Sequence, residues 1–152
     1  MSFVLILENI RSRFNVGAIF RTADGAGVEK IFLGGITPAP PHPQIDKVAL
    51  GAEKTIPFVC IKQIVSTIKQ LKKEGYKIVA LEQSPKSIPY YNFKPPQKVA
   101  LILGNEVKGL PLKILALADI IVEIPMYGEK ESLNVGVAGG IVMFQIAHQL
   151  HS

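Results

Sequence analysis

The most constraining feature of this sequence is a set of short runs that are apolar at every position rather than at alternate positions. Two of them are Phe3–Leu7 and Val99–Leu103. A strand with one face in water alternates apolar and polar residues, whereas a strand buried on both faces does not. These runs therefore predict strands in the interior of a sheet that is covered on both sides.

Segments of helical character separate the apolar runs. In Ile64–Lys73, apolar residues recur at a spacing of three or four and lysines occupy the other face, which is typical of an amphipathic helix. Further helices are predicted at Asn15–Ala26, Leu112–Ala118 and Leu133–Leu150, and further strands at Ile31–Leu33, Phe58–Ile61, Tyr76–Leu81 and Ile120–Ile124. The alternation predicts an α/β fold with a mostly parallel sheet and helices on both faces, in one domain over residues 1–152.

Composition excludes several classes of protein. The chain is 48% hydrophobic, yet no run approaches the roughly 18 apolar residues of a membrane-spanning helix. A single cysteine, Cys60, cannot form an internal disulfide, which fits a cytoplasmic protein. No spacing typical of metal ligands is present. The phosphate-binding loop of nucleotide hydrolases and the glycine-rich dinucleotide fingerprint are both missing, which disfavours a nucleotide- or flavin-binding protein of the flavodoxin type.

The arginines are concentrated in one segment. The net charge is +5, and all three arginines, Arg11, Arg13 and Arg21, lie within eleven residues, while every other positive charge is a lysine. Arginine binds phosphate in a bidentate manner, whereas lysine is a solvated point charge. The clustering predicts a phosphate or RNA contact at this segment, with chance clustering as the alternative.

Polar residues and glycines follow three of the predicted strands. In parallel sheets, ligands bind beyond the carboxyl ends of the strands, so these segments are expected to meet at one edge. The candidate residues are Asn15, Arg21, Glu106 (between Gly104 and Gly109), Ser132 and Asn134.

Each candidate also has a purely structural interpretation. Asn15 and Ser132 are both residue types that cap helices, and Arg21 could form a surface salt bridge. Glu106 could be a solvated side chain in a glycine turn. No histidine lies near Ser132 in the sequence to activate it as a nucleophile.

Together the three segments resemble the three motifs of the SpoU-type RNA 2′-O-methyltransferases, in the SPOUT (α/β-knot) superfamily. The similarity lies in "NVGAIFRTADGAGV", "LILGNEVKGL" and "IPMYGEKESLNV", in the family's order and spacing. It implies transfer of a methyl group from S-adenosyl-L-methionine to a ribose 2′-hydroxyl of tRNA or rRNA. It also implies a deep trefoil knot near the C-terminus, a homodimer and no metal.

The resemblance also implies roles for individual residues. Arg21 would act at the target ribose and its phosphate, and Asn15, Glu106, Ser132 and Asn134 would order the catalytic arrangement. Because a guanidinium has a pKa above about 12, Arg21 is better suited to stabilising alkoxide charge than to removing a proton. The cofactor would be held by Leu81, Leu103, Gly104, Gly109, Ile124, Met126, Ser132 and Leu133.

Some features leave alternatives open. Val107 and Lys108 stand where the family often has glycine followed by a variable residue, and valine tolerates positive φ badly, so a reshaped loop is expected. No appended RNA-binding domain is expected, so Arg11, Arg13 and Arg21 would help to bind RNA. A non-catalytic RNA-binding paralogue is the competing interpretation. "RTADGAGV" and "LGAEKTIP" are more similar to the tRNA guanosine or rRNA branch than to the tRNA wobble-position branch.

Overall fold

A computed structural model describes residues 1–152 and contains one seven-stranded sheet. Its strands are β1 (Ser2–Glu8), β2 (Lys30–Gly34), β3 (Phe58–Ile61), β4 (Lys77–Leu81), β5 (Ile88–Pro89), β6 (Lys98–Leu103) and β7 (Ile120–Glu123). The order across the sheet is β3-β2-β1-β6-β4-β7-β5, and every pairing between strands is parallel. The predicted mostly parallel α/β sheet is confirmed.

Six α-helices cover the sheet: α1 (Arg13–Gly25), α2 (Pro43–Ala49), α3 (Ala52–Thr55), α4 (Ile64–Lys73), α5 (Leu112–Leu117) and α6 (Val135–Leu150). A 3-10 turn occupies Tyr90–Asn92. None of these helices combines the length and apolar character that crossing a bilayer requires.

Two hydrophobic cores lie on opposite faces of the sheet. On one face, Leu5 and Leu7 of β1 pack with side chains of α1 and α6, such as Phe20 and Met143. On the other face, Val4 and Ile6 pack with side chains of α4 and α5. Strands buried on both faces explain why β1 and β6 are apolar at consecutive positions.

The structure corrects the sequence-based boundaries at several points. Helix α1 begins at Arg13, two residues before the prediction, because the Ser12 hydroxyl accepts a hydrogen bond from the Asn15 N–H at 3.1 Å. The segment "GGITPAPPHPQID" (residues 34–46), whose prolines predict a loop, contains the first part of helix α2. Proline is tolerated in the first turn of a helix, and the His42 side chain caps this one.

Candidate active site

The main cavity lies at the carboxyl edge of the sheet and has a volume of about 520 Å³. It is lined by 21 residues: the eight predicted to hold a cofactor, Glu106 and twelve others, among them Glu82, Gln83 and Glu123.

Loop β6–α5 forms one wall of this cavity. Gly104 follows β6 directly, and a Cβ atom there would lie 2.7 Å from Cγ of Leu110, so only glycine fits without displacing Leu110. The N–H groups of Val107 and Lys108 both donate to Oδ1 of Asn105 at 2.9 Å, and the positive φ of +65° falls at Gly109. Val107 therefore does not adopt the positive φ that valine tolerates badly, because the glycine two residues later makes the turn.

Glu106 joins this loop to the β1–α1 loop. Its carboxylate accepts hydrogen bonds from the backbone N–H of Arg11 at 3.0 Å and of Ser12 at 2.8 Å. The side-chain amide of Asn15 donates to the same carboxylate at 3.2 Å. Glu106 is therefore a fully engaged acceptor, which excludes the interpretation of a merely solvated side chain in a turn.

Asn15 in turn connects Glu106 to helix α6. Its Oδ1 accepts from Nδ2 of Asn134 at 3.1 Å, and Oδ1 of Asn134 accepts from the N–H groups of Gly136 at 2.8 Å and Val137 at 3.2 Å. Asn134 is therefore the N-cap of α6. The capping interpretations of Asn15 and Ser132 are wrong, since Ser12 caps α1 and Asn134 caps α6.

The hydrogen bonds also determine the charge state of Glu106. Partial burial opposes ionisation, but the N–H groups of Arg11 and Ser12 and the amide of Asn15 stabilise the anion, so that the pKa of Glu106 lies below its ordinary value. The carboxylate is thus ionised at neutral pH and acts as a hydrogen-bond acceptor rather than as a proton donor.

Helices α1 and α6 pack closely beside this network. A Cβ atom at Gly140 would lie 3.3 Å from Cγ2 of Thr22, and one at Gly136 would lie 3.7 Å from Oδ1 of Asn15. Small residues on α6 therefore allow the helix to approach α1 closely enough for Asn134 to reach Asn15.

The structure does not bring Arg21 into this network. Arg21 is exposed on α1, and its guanidinium forms no hydrogen bond or ion pair with Glu106, Ser132 or Asn134. The salt-bridge interpretation is also wrong, because the one ion pair of the chain joins Lys72 to Asp119. Arg11 and Arg13, which precede Arg21 in the sequence, are also exposed.

Several residues of the cavity were not predicted from the sequence. Glu82 and Gln83 directly follow β4, and Oε1 of Glu82 accepts from the N–H of Leu110 at 2.7 Å. The side-chain amide of Gln83 donates to the carbonyl of Glu131. Their position after a parallel strand was the available signal, since the same rule singled out the other three loops.

Comparison with known proteins agrees with this geometry. The model of the SpoU rRNA Methylase family matches residues 2–144. The chain is 34% identical over 146 residues to the 23S rRNA (guanosine-2′-O-)-methyltransferase RlmB of Neisseria meningitidis serogroup B, covering 96% of this chain and 58% of that protein. It is 35% identical over 145 residues to the tRNA (guanosine(18)-2′-O)-methyltransferase of Borreliella burgdorferi, covering 95% of this chain and 66% of that protein.

A solved structure extends the comparison to three dimensions. The AdoMet-bound rRNA methyltransferase from Sinorhizobium meliloti superimposes with a TM-score of 0.92 at 30% identity, covering 99% of this chain and 57% of that one. The chain thus spans about three-fifths of the length of these relatives. Because the family model accounts for nearly the whole chain and the fold agrees, this protein belongs to the SpoU rRNA methylase family.

Proposed function

We propose that this chain transfers a methyl group from S-adenosyl-L-methionine to a ribose 2′-hydroxyl of tRNA or rRNA. The observation that carries the proposal is the network of Glu106, Asn15 and Asn134, which ties three loops together at the main cavity. The curated relatives are named as rRNA and tRNA guanosine 2′-O-methyltransferases, and the S. meliloti structure is described as AdoMet-bound.

The residues of the main cavity fit this cofactor. A volume of about 520 Å³ is within the range of small-molecule sites, about 300–1,000 Å³. The side chains of Leu81, Leu103 and Ile124 offer apolar surface for an adenine ring and a methionine chain. The lining carries four carboxylates and one lysine, Lys108, and this excess of negative charge suits a sulfonium cation. The carboxylates are those of Glu82, Glu106, Glu123 and Glu131.

The chain's own contribution is alignment. When bound, S-adenosyl-L-methionine supplies an electrophilic methyl group, so the protein needs mainly to orient the acceptor and exclude water. Glu106 holds the β1–α1 loop against the β6–α5 loop through two backbone N–H groups. Ser132 lines the cavity with an exposed hydroxyl, from which it can contact the ribose.

A homodimer accounts for a surface that a lone chain leaves in water. Phe14 on α1 and Val137 and Phe144 on α6 are 63%, 54% and 50% exposed. Exposed apolar patches of this kind mark interfaces, and a second copy covering α1 and α6 would bury them. Arg21 is seven residues from Phe14, hence on the same side of α1, so this pairing would bring its guanidinium to the interface.

We further propose that residues 1–152 form one catalytic domain whose C-terminal part is knotted. The close approach of α6 to the end of β6 supports the knot, since a Cβ atom at Gly139 would lie 2.7 Å from Cδ1 of Leu103. A segment that threads past another needs such small residues at the crossing.

The function is tested by methyl transfer and cofactor binding measured separately. Tritium from labelled S-adenosyl-L-methionine should pass to tRNA or rRNA with the wild type, and Arg21→Ala should abolish transfer while calorimetry still shows cofactor binding. Arg21→Lys is the matched variant, because it keeps the charge and loses the planar fork. Wild-type protein that binds the cofactor but methylates neither RNA would support the non-catalytic paralogue, and loss of cofactor binding in Arg21→Ala would contradict the role of Arg21.

A further inference from the structure

A second, smaller cavity lies on the opposite face of the sheet from α1 and α6. It has a volume of about 160 Å³ and sits beyond the carboxyl ends of β1 and β2, between the starts of α4 and α5. Its lining is Glu8, Asn9, Gly35, Lys62, Gln63, Ile64, Val65, Lys113 and Ile114. None of these residues belongs to the candidate active site.

The side chain of Glu8 is the unusual feature of this cavity. Glu8 ends β1, follows the buried residues Val4 and Ile6 on the same face of the sheet, and is only 8% exposed. No protein group donates a hydrogen bond to its carboxylate, and burial raises its pKa while the charge of Lys113 partly offsets this. No fully buried side-chain oxygen of the chain lacks a hydrogen-bond partner, so the unpaired oxygens of Glu8 keep contact with solvent through the cavity, where a ligand can reach them.

The surrounding backbone keeps space for this carboxylate. A Cβ atom at Gly34 would lie 2.5 Å from Cγ2 of Ile64 and 3.1 Å from Oε1 of Glu8. Oδ1 of Asn9 accepts from the N–H of Ile36 at 3.0 Å, which holds the β1–α1 and β2–α2 connections together. Gly34, Gly35 and the hydrogen-bonded turn at Asn9 therefore fix the shape of this cavity.

We propose that this cavity binds a guanine base of the substrate RNA, with Glu8 accepting hydrogen bonds from the guanine N1–H and N2–H groups. This inference rests on the proposed function. An ionised carboxylate only accepts hydrogen bonds, and among the four bases guanine alone presents two adjacent donors on its Watson–Crick edge. A cavity of about 150 Å³ holds a benzene ring, so the six-membered ring of a base can enter edge-on.

Positive groups at the rim match the rest of a nucleotide. Lys62 and Lys113 are exposed beside the cavity and can contact phosphate. The ten-residue helix α4 begins there, and its N-cap residue Gln63 makes no side-chain capping bond, so free N–H groups face the same region.

The two cavities are adjacent. Leu112 and Leu115 of α5 line the main cavity, whereas Lys113 and Ile114 line the smaller one. RNA recognition in single-stranded regions commonly reads splayed-out bases in pockets. An RNA strand placed with one ribose at the main cavity can therefore place a neighbouring base against Glu8.

The proposal is tested with guanosine 5′-monophosphate (GMP) and inosine 5′-monophosphate (IMP), which lacks the N2 amino group. Titration of the isotope-labelled protein, followed by amide chemical shifts, should give at least about tenfold tighter binding of GMP, the scale of a bidentate base contact. In Glu8→Gln this preference should fall to within about twofold, because an amide offers one acceptor in place of two. Glu74→Gln, at the far end of α4, is the matched control and should keep the preference.

A second variant tests the cavity without changing a buried residue such as Glu8. Lys62→Ala changes an exposed side chain and should weaken GMP binding without changing the binding of guanosine, which has no phosphate. Equal binding of GMP and IMP, an undiminished preference in Glu8→Gln, or shifts confined to the residues of the main cavity would each overturn the inference. These measurements need no cofactor or methyl transfer, so such a result would leave the proposed methyltransferase function standing.

Discussion

The sharpest consequence of the Glu106 network concerns the substitution Asn15→Asp. The change keeps the size of the side chain but replaces the amide that donates to Glu106 at 3.2 Å with a second carboxylate. Asn15 is 5% exposed, so water cannot easily separate the two groups. We expect a less stable protein at neutral pH whose stability recovers on mild acidification.

The expected loss of stability is bounded by two energies, the repulsion between two carboxylates and the cost of protonating one of them. Two unit charges 3.2 Å apart repel by about 5 kcal/mol at an effective dielectric constant of about 20. Binding one proton instead costs about 3.7 kcal/mol at pH 7 for a carboxyl with an ordinary pKa of about 4.3, and it restores a hydrogen bond between the groups. Because Glu106 is partly exposed and solvent screens part of the repulsion, we expect a loss of about 2–3 kcal/mol, or about 4–12 °C in Tm.

The stability of Asn15→Asp should depend on pH in the opposite direction to the contribution of Glu106 in the wild type. In the wild type, the pKa of Glu106 is depressed, so its stabilisation is present at neutral pH and is lost only as the pH falls through the folded-state pKa. In Asn15→Asp, the shared site raises the apparent pKa of the pair, so the folded state binds more protons than the unfolded state. Its free energy of unfolding, measured by urea denaturation, should rise relative to wild type between pH 7 and pH 5.

The matched control is Asn134→Asp. It keeps the acceptor that caps α6 but places a carboxylate oxygen, in place of the amide donor, against Oδ1 of Asn15, which should cost about 1 kcal/mol. If Asn15→Asp is as stable as wild type at pH 7, or if its deficit does not shrink on acidification, then Asn15 does not bridge Glu106 and the assigned network is incorrect.

Three further outcomes are expected. Gly139→Ala should destabilise the protein by about 1–3 kcal/mol and weaken cofactor binding in calorimetry, because its Cβ would lie 2.7 Å from Cδ1 of Leu103 in the cavity wall. The control Gly128→Ala should have neither effect, because no atom lies within 4 Å of its Cβ. Phe144→Asp should shift the protein from dimer to monomer in sedimentation, and an unchanged dimer would exclude α6 as the interface. Glu106→Gln should lower the unfolding free energy at pH 7, and the deficit should shrink as the pH falls through the depressed folded-state pKa of wild-type Glu106.

The strands could be predicted because burial on both faces leaves a direct mark in the sequence. The predicted Phe58–Ile61 agrees with β3, and the predicted Val99–Leu103 differs from β6 by one residue. The short helix α2 could not be predicted in the same way. Its first residue, Pro43, follows a run of prolines that is typical of loops, and the capping by His42 depends on a rotamer that composition does not reveal.

Some features of the candidate site could likewise be predicted from the sequence, and others could not. Residues that follow buried strands could be placed at one edge from topology alone, and the side chains predicted to hold the cofactor do share one cavity. The sequence suggested Asn15 as the cap of α1, whereas the structure gives that position to Ser12, and both residue types cap helices. The oxygen that Asn15 would need for capping instead accepts from Nδ2 of Asn134, far along the chain.

The strand order has a consequence for how the protein is made. Strand β1 is central, yet one of its two neighbours, β6, begins only at Lys98. At about 5–20 residues per second, a ribosome delivers β6 at least several seconds after β1. During that interval one edge of β1 is unpaired and exposed to other nascent chains, so we expect the yield of active protein in cells to depend on chaperones more than on the stability of the finished fold.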